Sequence, residues 1–135
     1  MPDSALSLAV VIPTYNRRAI LERTLDALGD QSRRDFRIVV VDDGSTDGTW
    51  EWLEMRAVTA RRPSLSIVRQ ANRGQGQARN QGLRQVEEPL VLFLGDDIIP
   101  RRELVAEHLA AHARLGARYP LLAGVGFTDW RRSEM

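Results

Sequence analysis

The most regular feature of this chain is an alternation of short apolar runs with amphipathic segments. Two of these runs, Ile38–Val41 and Leu90–Leu94, are apolar throughout, which is typical of a parallel strand covered on both faces rather than of a half-exposed strand. The runs therefore predict five strands, at Leu6–Ile12 (closed by Pro13), Phe36–Val41, Leu65–Val68, Leu90–Leu94 and Leu121–Phe127.

The segments between these runs carry apolar residues three or four positions apart, flanked by capping and breaking residues. We expect helices from an Asn16 cap to Leu28, from capping groups at Ser45–Asp47 to a break at Arg61–Pro63, near Gln77–Val86, and from Pro100 to Leu115. Strands that alternate with helices imply right-handed crossovers. The predicted fold is therefore α/β, with a mostly parallel, layered sheet and helices on both faces.

Two of the predicted strands end in a pair of aspartates, Asp42-Asp43 and Asp96-Asp97. Open α/β sheets bind ligands just beyond the carboxyl ends of their strands, so both pairs are placed where a ligand would lie. Carboxylates gathered at one edge repel each other unless a cation or a hydrogen-bond donor lies among them. A hydrated divalent metal together with a ribose or a base is therefore the expected guest.

The residue counts limit both the number of domains and the chemistry. A chain of 135 residues is long enough for one domain, here residues 1–135, and too short for two. Its formal net charge of +1 implies no nucleic-acid partner. The chain has no Cys and no Lys, since all 19 basic residues are Arg. These absences exclude thiol nucleophiles, sulfur-ligated metals, a Walker-type phosphate loop and a Schiff-base lysine.

The N-terminal residues carry Asp3 where a signal peptide would carry positive charge, and no apolar run approaches the length of a membrane span. We expect a cytoplasmic protein or one at the inner face of the membrane. Three arginine pairs could add peripheral contact with anionic membrane surfaces, at Arg61-Arg62, Arg101-Arg102 and Arg131-Arg132.

Four short motifs occur in order along the chain: AVVIPTYNR at Ala9–Arg17, VVDDGSTD at Val40–Asp47, NRG with ARNQG within Asn72–Gly82, and LFLGDD at Leu92–Asp97. Together they resemble the signature of the family 2 glycosyltransferases of the GT-A type, over roughly Leu6 to Gly116. Residues 117–135 would then form a last strand and a tail. The resemblance implies a nucleotide-sugar-binding domain, incomplete relative to the family, that transfers a sugar with inversion from a nucleotide-diphosphate donor, usually a uridine one, to an unknown acceptor.

The resemblance also assigns roles in nucleotide binding. Asp43 resembles the family's base-recognising aspartate, because a carboxylate can accept the uracil imide proton that cytosine lacks. Pro13 and Tyr15, after the first strand, resemble the pocket wall against which the base packs.

The acidic motif would hold the ribose and the metal. Asp96 would accept hydrogen bonds from the ribose hydroxyls, and Asp97 would bind a Mg²⁺ or Mn²⁺ ion that neutralises the diphosphate. Arg79 would add positive charge near the phosphates or hold the loop. The family motif is often written Asp-x-Asp, and here its first position is Gly95.

Other interpretations of the acid pairs remain open. Each pair alone also fits a turn with a helix cap or a solvated strand end. A phospho-acceptor receiver domain likewise places acids at strand ends to bind Mg²⁺, but it uses a lysine that this chain lacks. A third alternative is a non-catalytic or truncated nucleotide-sugar-binding module that works with a partner chain.

A general base for the acceptor hydroxyl is not evident. In the family it follows the acidic motif, and beyond the last predicted helix the only acids are Asp129 and Glu134, which makes Asp129 the candidate. We therefore expect donor binding with little sugar transfer by this chain alone. We also expect self-association or a second chain, with the apolar Leu121–Trp130 segment at the contact.

Overall fold

The computed structural model describes residues 6–115 of the chain. The predicted last strand Leu121–Phe127 and the candidate base Asp129 lie outside these residues. The described part contains four strands and four helices in strict alternation: β1 Leu8–Thr14, α1 Arg18–Gly29, β2 Arg37–Asp42, α2 Thr49–Thr59, β3 Ser64–Arg69, α3 Gln75–Arg84, β4 Leu90–Phe93 and α4 Leu104–Leu115.

The four strands form one parallel sheet in the order β3-β2-β1-β4, which confirms the predicted fold class. The chain adds β2 and β3 on one side of β1 and then crosses back to place β4 on the other side. The direction of winding therefore reverses between the carboxyl ends of β1 and β4. Such a switch point leaves a crevice between the loops that follow the two strands, and ligands of open α/β sheets bind there.

Helices cover both faces of the sheet, as the uninterrupted apolar strands predict. On one face the even-numbered residues of β1 and β2 pack against α1, α2 and α4, and the largest fully buried side chains there include Ile12, Leu21, Leu28 and Leu53. On the other face α3 packs its Ala78 against Val11, Val39 and Val41. The central strands β1 and β2 are therefore buried on both faces, whereas the outer strands β3 and β4 are only partly buried.

Strand β1 begins and ends two residues later than the sequence predicts, at Leu8 and Thr14, so Pro13 lies inside it and pairs with Val41. The carbonyl of Val11 accepts a hydrogen bond from the Leu94 N–H on the β4 side, and the carbonyl of Thr14 accepts one from the Asp43 N–H on the β2 side. Backbone groups of alternate residues point to the same neighbouring strand, so those of Pro13, like those of Val11, point towards β4. Pro13 has no N–H to donate, but β4 ends at this level, so no hydrogen bond of the ladder is lost.

Helix α4 begins at Leu104, later than the Pro100 that was expected to open it. The reason is a buried side chain from elsewhere in the chain. Gln31 donates to the Arg101 carbonyl at 2.7 Å and accepts from the Val105 N–H at 3.1 Å. It thereby satisfies one of the unpaired N–H groups that open a helix, a task usually done by a local capping residue.

Candidate functional site

The loop from β1 to α1 forms one wall of the crevice, and its shape depends on Asn16. This residue has a φ of 50° and is the only non-glycine residue with a positive φ in the range 6–115. Its N–H donates to the Ser45 hydroxyl at 2.9 Å, and its side-chain oxygen accepts from the Thr46 N–H at 2.8 Å. Asn16 therefore joins this loop to the loop after β2. The predicted role of Asn16 as the cap of α1 is wrong, because Arg17 occupies the N-cap position.

The loop after β2 is held by Asp42, whose side chain is completely buried. Its Oδ1 accepts from the Ser45 N–H at 3.0 Å, while its Oδ2 has no hydrogen-bond partner and lies 4.0 Å from Nε of Arg69. The next residue but one, Gly44, turns the chain with a φ of 81°. A Cβ there would lie 2.9 Å from the Asn72 backbone nitrogen, so this turn requires glycine.

Asp43 is 6% exposed and accepts three hydrogen bonds from the segment after β3. Its Oδ1 accepts from the Gln70 side chain and the Arg73 N–H, both at 2.8 Å, and its Oδ2 accepts from the Gly74 N–H at 3.0 Å. Burial raises the pKa of Asp43, but these three donors outweigh it and leave the pKa below its ordinary value. The residue is therefore an anion that orders the loop leading into α3.

Asp96 follows β4 and is the more buried member of the acidic motif, at 5% exposed. Its Oδ2 accepts from the Thr14 hydroxyl at 3.0 Å, and its backbone carbonyl accepts from the Thr24 hydroxyl at 2.7 Å. Burial raises the pKa of this carboxyl, while the Thr14 bond and the Arg17 guanidinium act in the opposite direction. Both threonines fix the orientation of Asp96 and leave its Oδ1 facing Arg17, 3.3 Å from Nη1.

Asp97 lies at the mouth of the crevice with its side chain 48% exposed, and its Oδ2 is 3.7 Å from Nη2 of Arg17. Its other oxygen occupies the space beside Gly95, where an added Cβ would come within 2.9 Å. The glycine at the first position of the motif thus leaves room for the Asp97 carboxylate to fold back over the chain.

No cluster of three or more acids, histidines or cysteines that could hold a metal occurs among residues 6–115. Mg²⁺ and Mn²⁺ fit this site nevertheless, because such ions are commonly held by one or two carboxylates together with substrate phosphates and water. Asp97 supplies an exposed carboxylate, and Asp96 has one oxygen that neither threonine uses. The protein would provide part of the coordination shell and a diphosphate the remainder.

The predicted site residues converge on this edge with one exception. Thr14 connects the two acid pairs, because its carbonyl accepts from the Asp43 N–H at 2.9 Å and its hydroxyl donates to Asp96. Tyr15 is 41% exposed at the crevice, whereas Pro13 is buried within β1. Arg79 lies exposed on α3 with its guanidinium 3.5 Å from the Gln75 side chain, and it forms no ion pair with an acid among residues 6–115.

Three further residues contact the acid pairs and were not among the predicted site residues: Thr14, Arg17 and Gln70. Thr14 and Arg17 stand inside the motif at Ala9–Arg17, so their positions were visible although their partners were not. Gln70 had no such signal, because its partner Asp43 is 27 residues away in the chain.

Within residues 6–115, no helix is long and apolar enough to cross a lipid bilayer.

Residues 9–129 match the sequence model of the protein family described as glycosyl transferase family 2. The chain is 42% identical over 110 residues to validoxylamine A glucosyltransferase of Streptomyces hygroscopicus subsp. jinggangensis, covering 78% of this chain and 25% of that protein. It is 31% identical over 90 residues to the GalNAc(5)-diNAcBac-PP-undecaprenol beta-1,3-glucosyltransferase of Campylobacter jejuni, covering 67% of this chain and 29% of the relative. The chain thus spans between a quarter and a third of the length of these two relatives.

Solved structures give the same result. The fold matches S. aureus TarS 1-349 in complex with UDP-GlcNAc with a TM-score of 0.73 and 30% identity, over 81% of this chain and 32% of that one. It matches the mannosyltransferase PcManGT of Pyrobaculum calidifontis, in complex with GDP-Man and Mn²⁺, with a TM-score of 0.69 and 32% identity, over 80% and 32% of the two chains. The described residues therefore form part of a GT-A fold, and the chain belongs to glycosyl transferase family 2.

Proposed function

We propose that this chain forms the donor-binding part of a glycosyltransferase that moves a sugar, with inversion, from a uridine diphosphate donor to an acceptor. One observation carries the proposal: Thr14 links the base-side loop after β2 to the acidic motif after β4 at the switch point of the sheet. A nucleoside diphosphate bound across that point would meet Asp43 at one end and Asp97 at the other. Ligands of open α/β sheets bind at such points.

The number of acceptor sites on Asp43 supports its role in base recognition. A carboxylate offers about four lone-pair positions, and three of them are taken by Gln70, Arg73 and Gly74. The remaining position, on Oδ2, would accept the imide N–H of uracil. Cytosine has no proton at that ring nitrogen, so the same contact would leave two acceptors facing each other. Tyr15, exposed beside this loop, would pack against the base.

The acidic motif would bind the other end of the donor. Asp96, oriented by Thr14 and Thr24, would accept a hydrogen bond from a ribose hydroxyl with Oδ1, the oxygen that faces Arg17. Asp97 would hold the Mg²⁺ or Mn²⁺ ion, which when bound supplies positive charge to the departing diphosphate. PcManGT, which has the same fold, binds GDP-Man and Mn²⁺, and TarS binds UDP-GlcNAc.

The loops at the carboxyl edge of the sheet would contribute to sugar transfer by holding the donor rigidly. These loops are joined by hydrogen bonds through Asn16, Ser45 and Asp43, so the donor would be oriented without further ordering of the protein. Holding the donor in a fixed geometry reduces the entropic part of the barrier for attack by the acceptor oxygen.

The proposal is tested by replacing Asp97 with alanine. Calorimetric titration with UDP should show that wild-type binding requires Mn²⁺, and that Asp97→Ala loses both this requirement and most of the affinity. Asp26→Ala is the matched control, because Asp26 is an exposed acid on α1 that pairs with Arg56 and lies outside the crevice. UDP binding that is equally strong in EDTA, or an Asp97→Ala variant that keeps the Mn²⁺ requirement, would contradict the proposed metal role.

A further inference from the structure

Arg17 is the only cation within 4.0 Å of the acidic motif among the described residues, and it reaches both members. Its Nη1 is 3.3 Å from Oδ1 of Asp96, and its Nη2 is 3.7 Å from Oδ2 of Asp97. One guanidinium therefore bridges two adjacent carboxylates. The planar fork of an arginine suits this arrangement, because its two terminal nitrogens can each face a different oxygen.

The backbone aims this side chain at the acids. The left-handed Asn16 comes directly before Arg17 and is fixed by its bonds to Ser45 and Thr46. The Arg17 carbonyl accepts the hydrogen bond from the Leu21 N–H at 2.9 Å, which starts α1. With its backbone held on both sides, Arg17 can move only through its side-chain torsions.

The oxygens that Arg17 faces are those that a nucleotide donor and its metal would use. The Oδ2 of Asp96 is occupied by Thr14, so Oδ1 is the oxygen left for a second partner. Both distances from Arg17 exceed the 2.7–2.9 Å of a strong charge-assisted hydrogen bond. The Arg17 side chain is also 39% exposed, so water can compete for it. The bridge is therefore loose enough for another cation to displace it.

We propose that Arg17 is an internal counterion of the Asp96-Asp97 pair, which a divalent cation must displace in order to bind there. The inference rests on the proposed metal role of Asp97. In the metal-free protein Arg17 reduces the repulsion between the two carboxylates and lowers their affinity for a metal alone. A nucleoside diphosphate offers the displaced guanidinium a new anionic partner, so the metal and the nucleotide assist each other's binding.

The test is direct measurement of Mn²⁺ binding by electron paramagnetic resonance of the free ion, in the full chain, with and without UDP. Arg17→Gln removes the charge and keeps most of the side-chain length. It should bind Mn²⁺ alone roughly tenfold more tightly, as expected when two partly exposed ion pairs no longer compete. The increase in Mn²⁺ affinity that UDP produces should be smaller in this variant than in the wild type.

Two controls separate competition from a general effect. Arg23→Gln makes the same change in net charge at an exposed position on α1 and should leave Mn²⁺ affinity unchanged. Arg17→Lys keeps a positive charge at the position and should bind Mn²⁺ less tightly than Arg17→Gln. Circular dichroism would establish that all variants fold, and a purely structural role for Arg17 would lower stability without raising metal affinity.

The outcomes are distinct. If the wild type and Arg17→Gln bind Mn²⁺ with equal affinity, or the variant binds it more weakly, the counterion inference is wrong while the metal role of Asp97 stands. If neither protein binds Mn²⁺ even with UDP present, both the inference and the proposed metal role are wrong.

Discussion

Replacing Asp43 with asparagine should weaken the folded protein even when no nucleotide is bound. The wild-type carboxylate accepts from Gln70, Arg73 and Gly74 at 2.8–3.0 Å. An amide has only one oxygen, so in either orientation its NH₂ group faces at least one of these donors. Part of the loop before α3 would therefore lose its anchor.

The size of this effect follows from the surroundings of the three donors. A buried donor left unpaired costs about 1–3 kcal/mol. Arg73 and Gly74 are exposed, so water can reach their freed N–H groups and the cost should lie in the lower part of that range. We expect Asp43→Asn to lose about 1–2 kcal/mol of unfolding free energy, which a domain with 5–15 kcal/mol of stability can sustain.

Urea denaturation measures this loss, with Asp26→Asn as the matched control. Asp26 is exposed and forms a surface ion pair with Arg56, so its replacement should cost no more than about 0.5 kcal/mol. The pKa of Asp43 is lowered in the folded state, so its stabilisation is complete above the ordinary value of about 3.9 and is lost as the pH falls through the lowered value. The stabilities of the wild type and Asp43→Asn should therefore converge in acid.

Hydrogen exchange at the Arg73 and Gly74 amides gives the local readout, and one of the two should lose protection in Asp43→Asn alone, because the single amide oxygen can occupy the position of only one of the two carboxylate oxygens. If Asp43→Asn matches the Asp26→Asn control in urea and both amides keep their protection, the Asp43 carboxylate does not order this loop.

Two further predictions concern the scaffold. Gly82→Ala should lose about 1–2 kcal/mol in urea denaturation, because its Cβ would lie 2.5 Å from Cγ1 of Val11; Gly76→Ala in the same helix meets nothing within 4 Å and should gain roughly 0.5–1 kcal/mol. Equal effects at the two glycines would refute the close approach of α3 to the sheet. Glu88→Gln should lower the free energy of unfolding by about 1–3 kcal/mol at neutral pH, because the Glu88 carboxylate accepts two hydrogen bonds from the Arg37 guanidinium. These bonds also lower the pKa of Glu88. Because the pKa of Glu88 is lowered in the folded state, its ionised carboxylate stabilises the fold at pH values above its ordinary pKa, and this stabilisation is lost as acid protonates it. The difference in urea midpoint between the wild type and Glu88→Gln should therefore disappear at acidic pH. A difference of the same size at neutral and acidic pH would contradict this prediction.

The sequence predicted the central strands β1 and β2 well because burial on both faces leaves a strong local signal. The strands β1 to β4 each coincide with an apolar run, and the glycines and prolines between them mark the turns. The two acid pairs could be placed at one edge for the same reason, since a parallel sheet brings the carboxyl ends of its strands together.

The errors and omissions involve contacts between distant parts of the chain. Asn16 looked like a helix cap, but its bonds go to Ser45 and Thr46, across 29 and 30 residues. The start of α4 depends on Gln31, which is 74 residues from Val105. The bridge from Arg17 to the acidic motif spans a similar distance. Local sequence patterns do not predict contacts between residues so far apart in the chain.

The most direct test of the central claim is calorimetric titration of the chain with UDP, GDP and ADP, each with Mn²⁺ and with EDTA. We expect UDP to bind most tightly and its binding to be lost in EDTA, since Asp43 would select the base and Asp97 would hold the metal. Equal affinity for the three nucleotides would contradict the role of Asp43. Binding of UDP that EDTA does not weaken, or no binding of UDP under either condition, would contradict the proposal of a metal-dependent donor site.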